Sequence, residues 1–186
     1  WKNRTFMGYH RKNGSVGTGN YWLVVPMVFC ENRNVEVLKE ALMEELGYAR
    51  PRKYHQYTNK LASLYKSGAS MEAIEEELFE EKLVGQGIEP LFPNISGIKF
   101  LNHEGGCGGV RSDAQALCAL LAGYITHPNC AGATVLSLGC QNAQVSMLQE
   151  EISKRIPEYD RPLYILEQQK TGFETNLLAA AIQQTF

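Results

Sequence analysis

Three cysteines stand where sulfur could do chemistry. Cys30 closes an apolar run, Cys107 lies within Leu101-Asn-His-Glu-Gly-Gly-Cys-Gly-Gly109, and Cys140 follows Leu138-Gly139. His103 and Glu104 share the second stretch with Cys107. Imidazole, thiolate and carboxylate together suit iron or zinc better than magnesium or calcium. Taken singly, each cysteine is more often a small buried hydrophobe; three at equivalent strand ends make chemistry an equal reading. Gly105, Gly106, Gly108 and Gly109 flank Cys107, and glycine lets a backbone approach a ligand closely. A helix that starts just after such a loop presents unpaired N–H groups to an anion. A carboxylate is the guest this arrangement suits, with Arg111 as its clamp. The plainer alternative is a tight strand-to-helix turn. The dinucleotide pattern GxGxxG does not fit, because Cys107 occupies an interior position and no acidic residue follows at the required distance.

These residues meet only if the elements before them share an edge. Tyr21 to Phe29 is a continuous apolar run, the signature of a strand buried on both faces of a parallel sheet. Val35, Leu38, Leu42 and Leu46 recur at helical spacing up to Gly47, a stop signal. Ile98 to Leu101 reads as a second strand. Ser112, Asp113 and Gln115 then open a helix as a capping box, with Ala114, Leu117, Cys118, Leu121 and Ile125 on one face. Ala133 to Leu138 is a third strand, Val145, Leu148, Ile152 and Ile156 mark a helix, Leu163 to Leu166 a fourth strand, and Glu174 to Gln184 a last helix. This alternation predicts a three-layer, Rossmann-like α/β domain with a mostly parallel sheet over residues 1–186. Residues 48–94 break the rhythm and read as a helical insertion in the first crossover. Within it Ser70 caps an amphipathic helix carrying Ile74, Leu78 and Leu83 inward, and its acidic run reads as a solvated face.

In an open parallel sheet, ligands bind beyond the carboxyl ends of the strands. Cys30, Cys107 and Cys140 are therefore expected at one edge, with the first strand central and His103 beside them. Cys118, on the apolar stripe of its helix, reads as core. Cys130, before a strand in His127-Pro-Asn-Cys130, falls at the opposite edge and reads as structural. His127 reads as a loop residue and His55 as surface. Gly14-Ser-Val-Gly-Thr-Gly19 resembles a phosphate loop but precedes its strand, whereas a P-loop follows one. His10 and Arg11 reach the edge only if this arm folds back over the sheet.

Composition narrows the partners. The 186 residues carry 18 Lys and Arg against 20 Asp and Glu, a net charge of −2, so no basic footprint for nucleic acid is present. Apolar stretches such as Trp22 to Val25 and Ala114 to Ala122 are too short or too interrupted to span a bilayer. Five cysteines, an odd and sparse set, predict reduced thiols and a cytoplasmic setting.

Gly8-Tyr-His-Arg11, Gly17-Thr-Gly-Asn-Tyr21, Cys30 and His103-Glu-Gly-Gly-Cys-Gly108 together resemble the altronate dehydratase/galactarate dehydratase family of sugar-acid hydro-lyases. Leu121-Ala-Gly-Tyr-Ile-Thr-His-Pro-Asn129, Leu138-Gly-Cys-Gln141 and Gln168-Gln-Lys-Thr-Gly172 extend the resemblance over nearly the whole chain. Gly19 stands where that family often has Arg, which bears on specificity. The resemblance implies the middle domain of a longer enzyme that removes water from an aldonic or aldaric acid. D-altronate giving 2-keto-3-deoxy-gluconate in hexuronate catabolism is the expected case; galactarate, sulfolactate and a non-catalytic, dimerising module are the alternatives. It implies Fe(II), or another divalent metal such as Mn(II), a homo-oligomer, and missing N- and C-terminal domains. Without those domains the chain is expected to fold but to turn over little substrate. In this frame Cys30, His103, Cys107 and Cys140 are the expected metal ligands, and His103, Glu104 and Cys107 the catalytic groups. Gly105, Gly106, Gly108, Arg111 and Gln141 are expected to bind substrate.

Overall fold

The computed structural model describes residues 4–49, 52–79 and 89–186. A two-residue hairpin opens the chain, β1 (Tyr9–His10) against β2 (Val16–Gly17). The main sheet comprises β3 (Tyr21–Pro26), β4 (Gly97–Phe100), β5 (Cys130–Ser137) and β6 (Leu163–Glu167). Its order is β4-β3-β5-β6 and each pairing is parallel. The first long strand is thus interior, flanked by the second and third.

The helices are α1 (Asn32–Met43), α2 (Lys53–Lys66), α3 (Met71–Glu75), α4 (Arg111–Thr126), α5 (Val145–Arg155), α6 (Gln168–Thr171) and α7 (Glu174–Thr185). Strand side chains alternate between two cores. Leu23, Val25, Ala133 and Val135 pack with Cys118, Leu121 and Ile125 of α4 and Leu148 and Ile152 of α5. Val24 and Leu136 face Val35, Leu38 and Leu42 of α1 and Leu177 and Ala181 of α7. Burial on both faces is why β3 reads as a continuous apolar run rather than an alternating one. Helices therefore cover both sides of the sheet.

Several boundaries differ from the sequence reading. The Tyr21–Phe29 run leaves the sheet at Pro26, and a 3-10 turn over Phe29–Glu31 leads into α1. Ser112 does not cap α4; Val110 does, its N–H bonded to Asp113 Oδ2 at 3.2 Å, so the helix opens at Arg111. The helix after Ser70 ends at Glu75, although Ser70 Oγ accepts the Ala73 N–H as a cap should. Glu75, Glu76 and Glu77 lie at its carboxyl end, where the helix dipole disfavours acidic charge. Leu83 lies outside the described residues. No side chain of α2 or α3 is fully buried. The two helices are tied instead by the Lys60–Glu77 ion pair, the Tyr57 hydroxyl on Glu77 O at 2.7 Å, and Phe79 against Tyr54 and Tyr57. No helix among the described residues is long and apolar enough to cross a membrane.

Candidate active site

The loop after β4 is laid across the ends of β3 and β5. Gly105 O accepts the Phe29 N–H at 2.9 Å and Gly106 O accepts the Ala143 N–H at 3.0 Å. Gly106 has φ +104° and presses on the chain just past β3 so closely that a Cβ would fall 2.2 Å from Met27 O. Only glycine meets both demands at once. Past it, Cys107 and Gly108 are exposed, and a Cβ on Gly108 would meet open space. The glycines thus divide the work: Gly106 docks the loop and Gly108 leaves room above it.

His103 anchors the same loop from beneath. Its Nε2 lies 2.7 Å from Pro26 O, its Nδ1 accepts the Gly105 N–H at 3.1 Å, and Asn32 Nδ2 donates to His103 O at 2.8 Å. The sequence reading missed Asn32; its only signal is position, as the first residue of the helix after the β3 turn.

Cys30, Cys107 and Cys140 follow β3, β4 and β5, three adjacent strands, and all three are exposed at the carboxyl edge. Glu104 is exposed beside them. Arg111, first residue of α4, donates through Nη1 to Asn142 O at 3.3 Å, linking the helix start to the loop after β5. Gln141 turns inward. At 2% exposure, its Oε1 accepts the Gly139 N–H at 2.6 Å and its Nε2 donates to Ser137 Oγ at 2.6 Å. It holds the turn that presents Cys140 instead of facing solvent.

Glu31 is another residue the sequence reading missed, because nothing marks an acid beside an exposed cysteine as buried. It is 1% exposed, and Asn34 Nδ2 donates to its Oε2 at 2.8 Å. Its Oε1 and Asn34 Oδ1 have no partner among the described residues. Burial, with a smaller push from Glu174, holds this carboxyl above its ordinary pKa, while the Asn34 hydrogen bond pulls the other way.

The expected metal ligands share an edge without forming a cage. Among the described residues, no three His, Cys, Asp or Glu side chains are grouped to hold an ion. Both ring nitrogens of His103 are engaged as well. Among the described residues, the donor set does not fit a metal.

The other cysteines lie elsewhere. Cys118 is buried on the inner face of α4, its thiol pushed up to about 11 by burial and secondarily by Glu151. Cys130 opens β5 at the amino edge, where burial raises its pKa. The hairpin does not fold back over the sheet. Arg11 Nε donates to Pro128 O at 2.8 Å and Arg11 Nη2 to Asn20 Oδ1 at 2.8 Å, and the Thr18 N–H bonds to Asn129 Oδ1 at 2.8 Å. His10 and Arg11 therefore stay at the amino edge.

Residues 8–186 match the family described as D-galactarate dehydratase/altronate hydrolase, second domain. The chain belongs to this family. It is 26% identical over 151 residues to an altronate dehydratase of Bacillus subtilis (strain 168), covering 81% of this chain and 22% of that protein. It is 24% identical over 150 residues to an altronate dehydratase of Escherichia coli (strain K12), with the same coverage of each. The chain thus spans about a fifth of the length of these curated relatives. No solved structure matches it.

Proposed function

We propose that this second domain contributes the carboxyl edge of its sheet to a dehydratase of sugar acids, with D-altronate as substrate. Membership of a family described by two such activities supports the reading. The observation that carries it is the glycine loop docked at Gly106, which leaves Gly108, Cys107 and the start of α4 open to solvent. The substrate carboxylate sits against the first N–H groups of α4, where the helix dipole and Arg111 both favour an anion. Held there, the carbon bearing the 2-hydroxyl can lose its proton, while the neighbouring hydroxyl leaves with a proton as water. The enol that remains tautomerises to the 2-keto-3-deoxy acid. Exposed Glu104 and Cys107 are the groups placed to move those protons. The order β4-β3-β5-β6 supports the doubly wound, Rossmann-like reading, in which this edge is the ligand edge.

The rest of the site belongs to the remainder of the longer protein. The test is therefore made on the full protein, following 2-keto acid release from D-altronate, galactarate and sulfolactate. D-altronate is expected to give the fastest release, and Arg111→Met to raise its KM by about tenfold, for one lost charge-assisted contact. Wild-type release from none of the three acids would overturn the proposal.

A further inference from the structure

The histidine of the loop is the obvious candidate for base or ligand, and its hydrogen bonds argue for neither. A carbonyl oxygen can only accept, so Nε2, 2.7 Å from Pro26 O, must carry the proton. A backbone amide can only donate, so Nδ1, 3.1 Å from the Gly105 nitrogen, must be bare. The two contacts fix one neutral tautomer and use both nitrogens. The same residue is held at its main chain, O accepting from Asn32 Nδ2 at 2.8 Å. Its ring joins the last residue of β3 to the glycine that precedes Gly106. We infer that His103 is a positioning residue, a neutral clasp that pins the glycine loop to the end of β3, and that it neither shuttles protons nor binds metal.

This inference rests on reading the carboxyl edge as the site, but its test separates from that reading. A glutamine at 103 offers one donor and one acceptor on a short span like that of the ring nitrogens, yet it cannot act as acid or base. In the full protein, His103→Ala is expected to lower the Tm of the transition that unfolds this domain by about 5 °C, for two lost hydrogen bonds in a domain of this size, and to speed alkylation of Cys107. His103→Gln is expected to restore both. Where D-altronate is turned over, His103→Gln should keep the wild-type pH profile and a kcat within about threefold. A stable His103→Gln protein whose kcat falls by about a hundredfold or more, the scale of a lost general base, would overturn the clasp. So would Fe(II) or Mn(II) bound by the wild type and lost from that variant. If neither acid nor metal is handled at all, the proposed function fails while Tm and alkylation still judge the clasp. Nitrogen-15 spectra of the wild-type ring decide it without any variant: a proton on Nε2 alone is expected, and a proton on Nδ1 overturns the inference.

Discussion

The two ends of β3 and β5 use the family-like motifs differently. At the amino ends, polar side chains are directed onto the main chain. Arg161, 8% exposed, donates to Thr126 O, His127 O and Cys130 O at 2.9, 2.6 and 2.8 Å, closing the end of α4. Arg11 and Asn129 fasten the hairpin beside it, and Gly17 passes so near Pro128 that a Cβ would lie 2.4 Å from its carbonyl oxygen. At the carboxyl ends, His103, Asn32 and Gln141 do the fastening from below, leaving three thiols, a carboxylate and a guanidinium facing water. The contrast teaches that a motif's resemblance says where a residue is required, not what it is required for. Gly8-Tyr-His-Arg11 and His127-Pro-Asn129 are as distinctive as the loop around Cys107, yet they secure the opposite end of the sheet.

The largest effect expected from breaking this contrast is at Arg161. Replacing it with alanine removes a buried cation from three carbonyls, of which His127 O keeps the Cys130 N–H, and should cost about 3 kcal/mol in urea unfolding. The substitution should leave alkylation of Cys30, Cys107 and Cys140 in the folded state unchanged. A change at those thiols would mean that the two ends are coupled rather than separate.

A smaller effect is expected from alkaline pH. Burial raises the pKa of Cys118 to about 11, and those of Cys130 and Tyr159 as well. Groups whose folded pKa lies above the unfolded one favour the folded state fully below the unfolded value, and that contribution is lost as pH rises through the folded value. For Cys118 the window runs from about pH 9 to about 11 and amounts to about 2–3 kcal/mol. Cys118→Ala should therefore unfold at a urea concentration less sensitive to pH across that window. An unaltered alkaline slope would show that Cys118 is not held neutral by burial.

Much of the fold was legible because the relevant forces are local or periodic. Two-face burial made β3 a continuous apolar run, and the 3.6-residue stripe of Leu117, Cys118, Leu121 and Ile125 announced α4. Placing Cys30, Cys107 and Cys140 at one edge followed from parallel strand direction alone. The roles beneath that edge were less legible. Nothing in sequence order says that Gln141 turns inward to bridge Ser137 and Gly139, or that Asn32 reaches a loop 71 residues away. Such contacts depend on where the β3 turn, the loop after β4 and the loop after β5 converge. Glu31 shows the same gap, since its neighbour Cys30 is exposed and the 3-10 turn over Phe29–Glu31 carries the acid inward.

The proposed function has sugar acid received at the carboxyl edge and not at the amino edge. The most direct measurement is timed alkylation of all five cysteines in the full protein, read by mass spectrometry, with and without saturating D-altronate. Without ligand, Cys30, Cys107 and Cys140 should react at least about a hundredfold faster than buried Cys118 and Cys130, since access limits the buried thiols. With D-altronate, Cys107 should slow while Cys130 does not change. Protection of Cys130, or full turnover of D-altronate with Cys30, Cys107 and Cys140 all labelled at their unliganded rates, would contradict it.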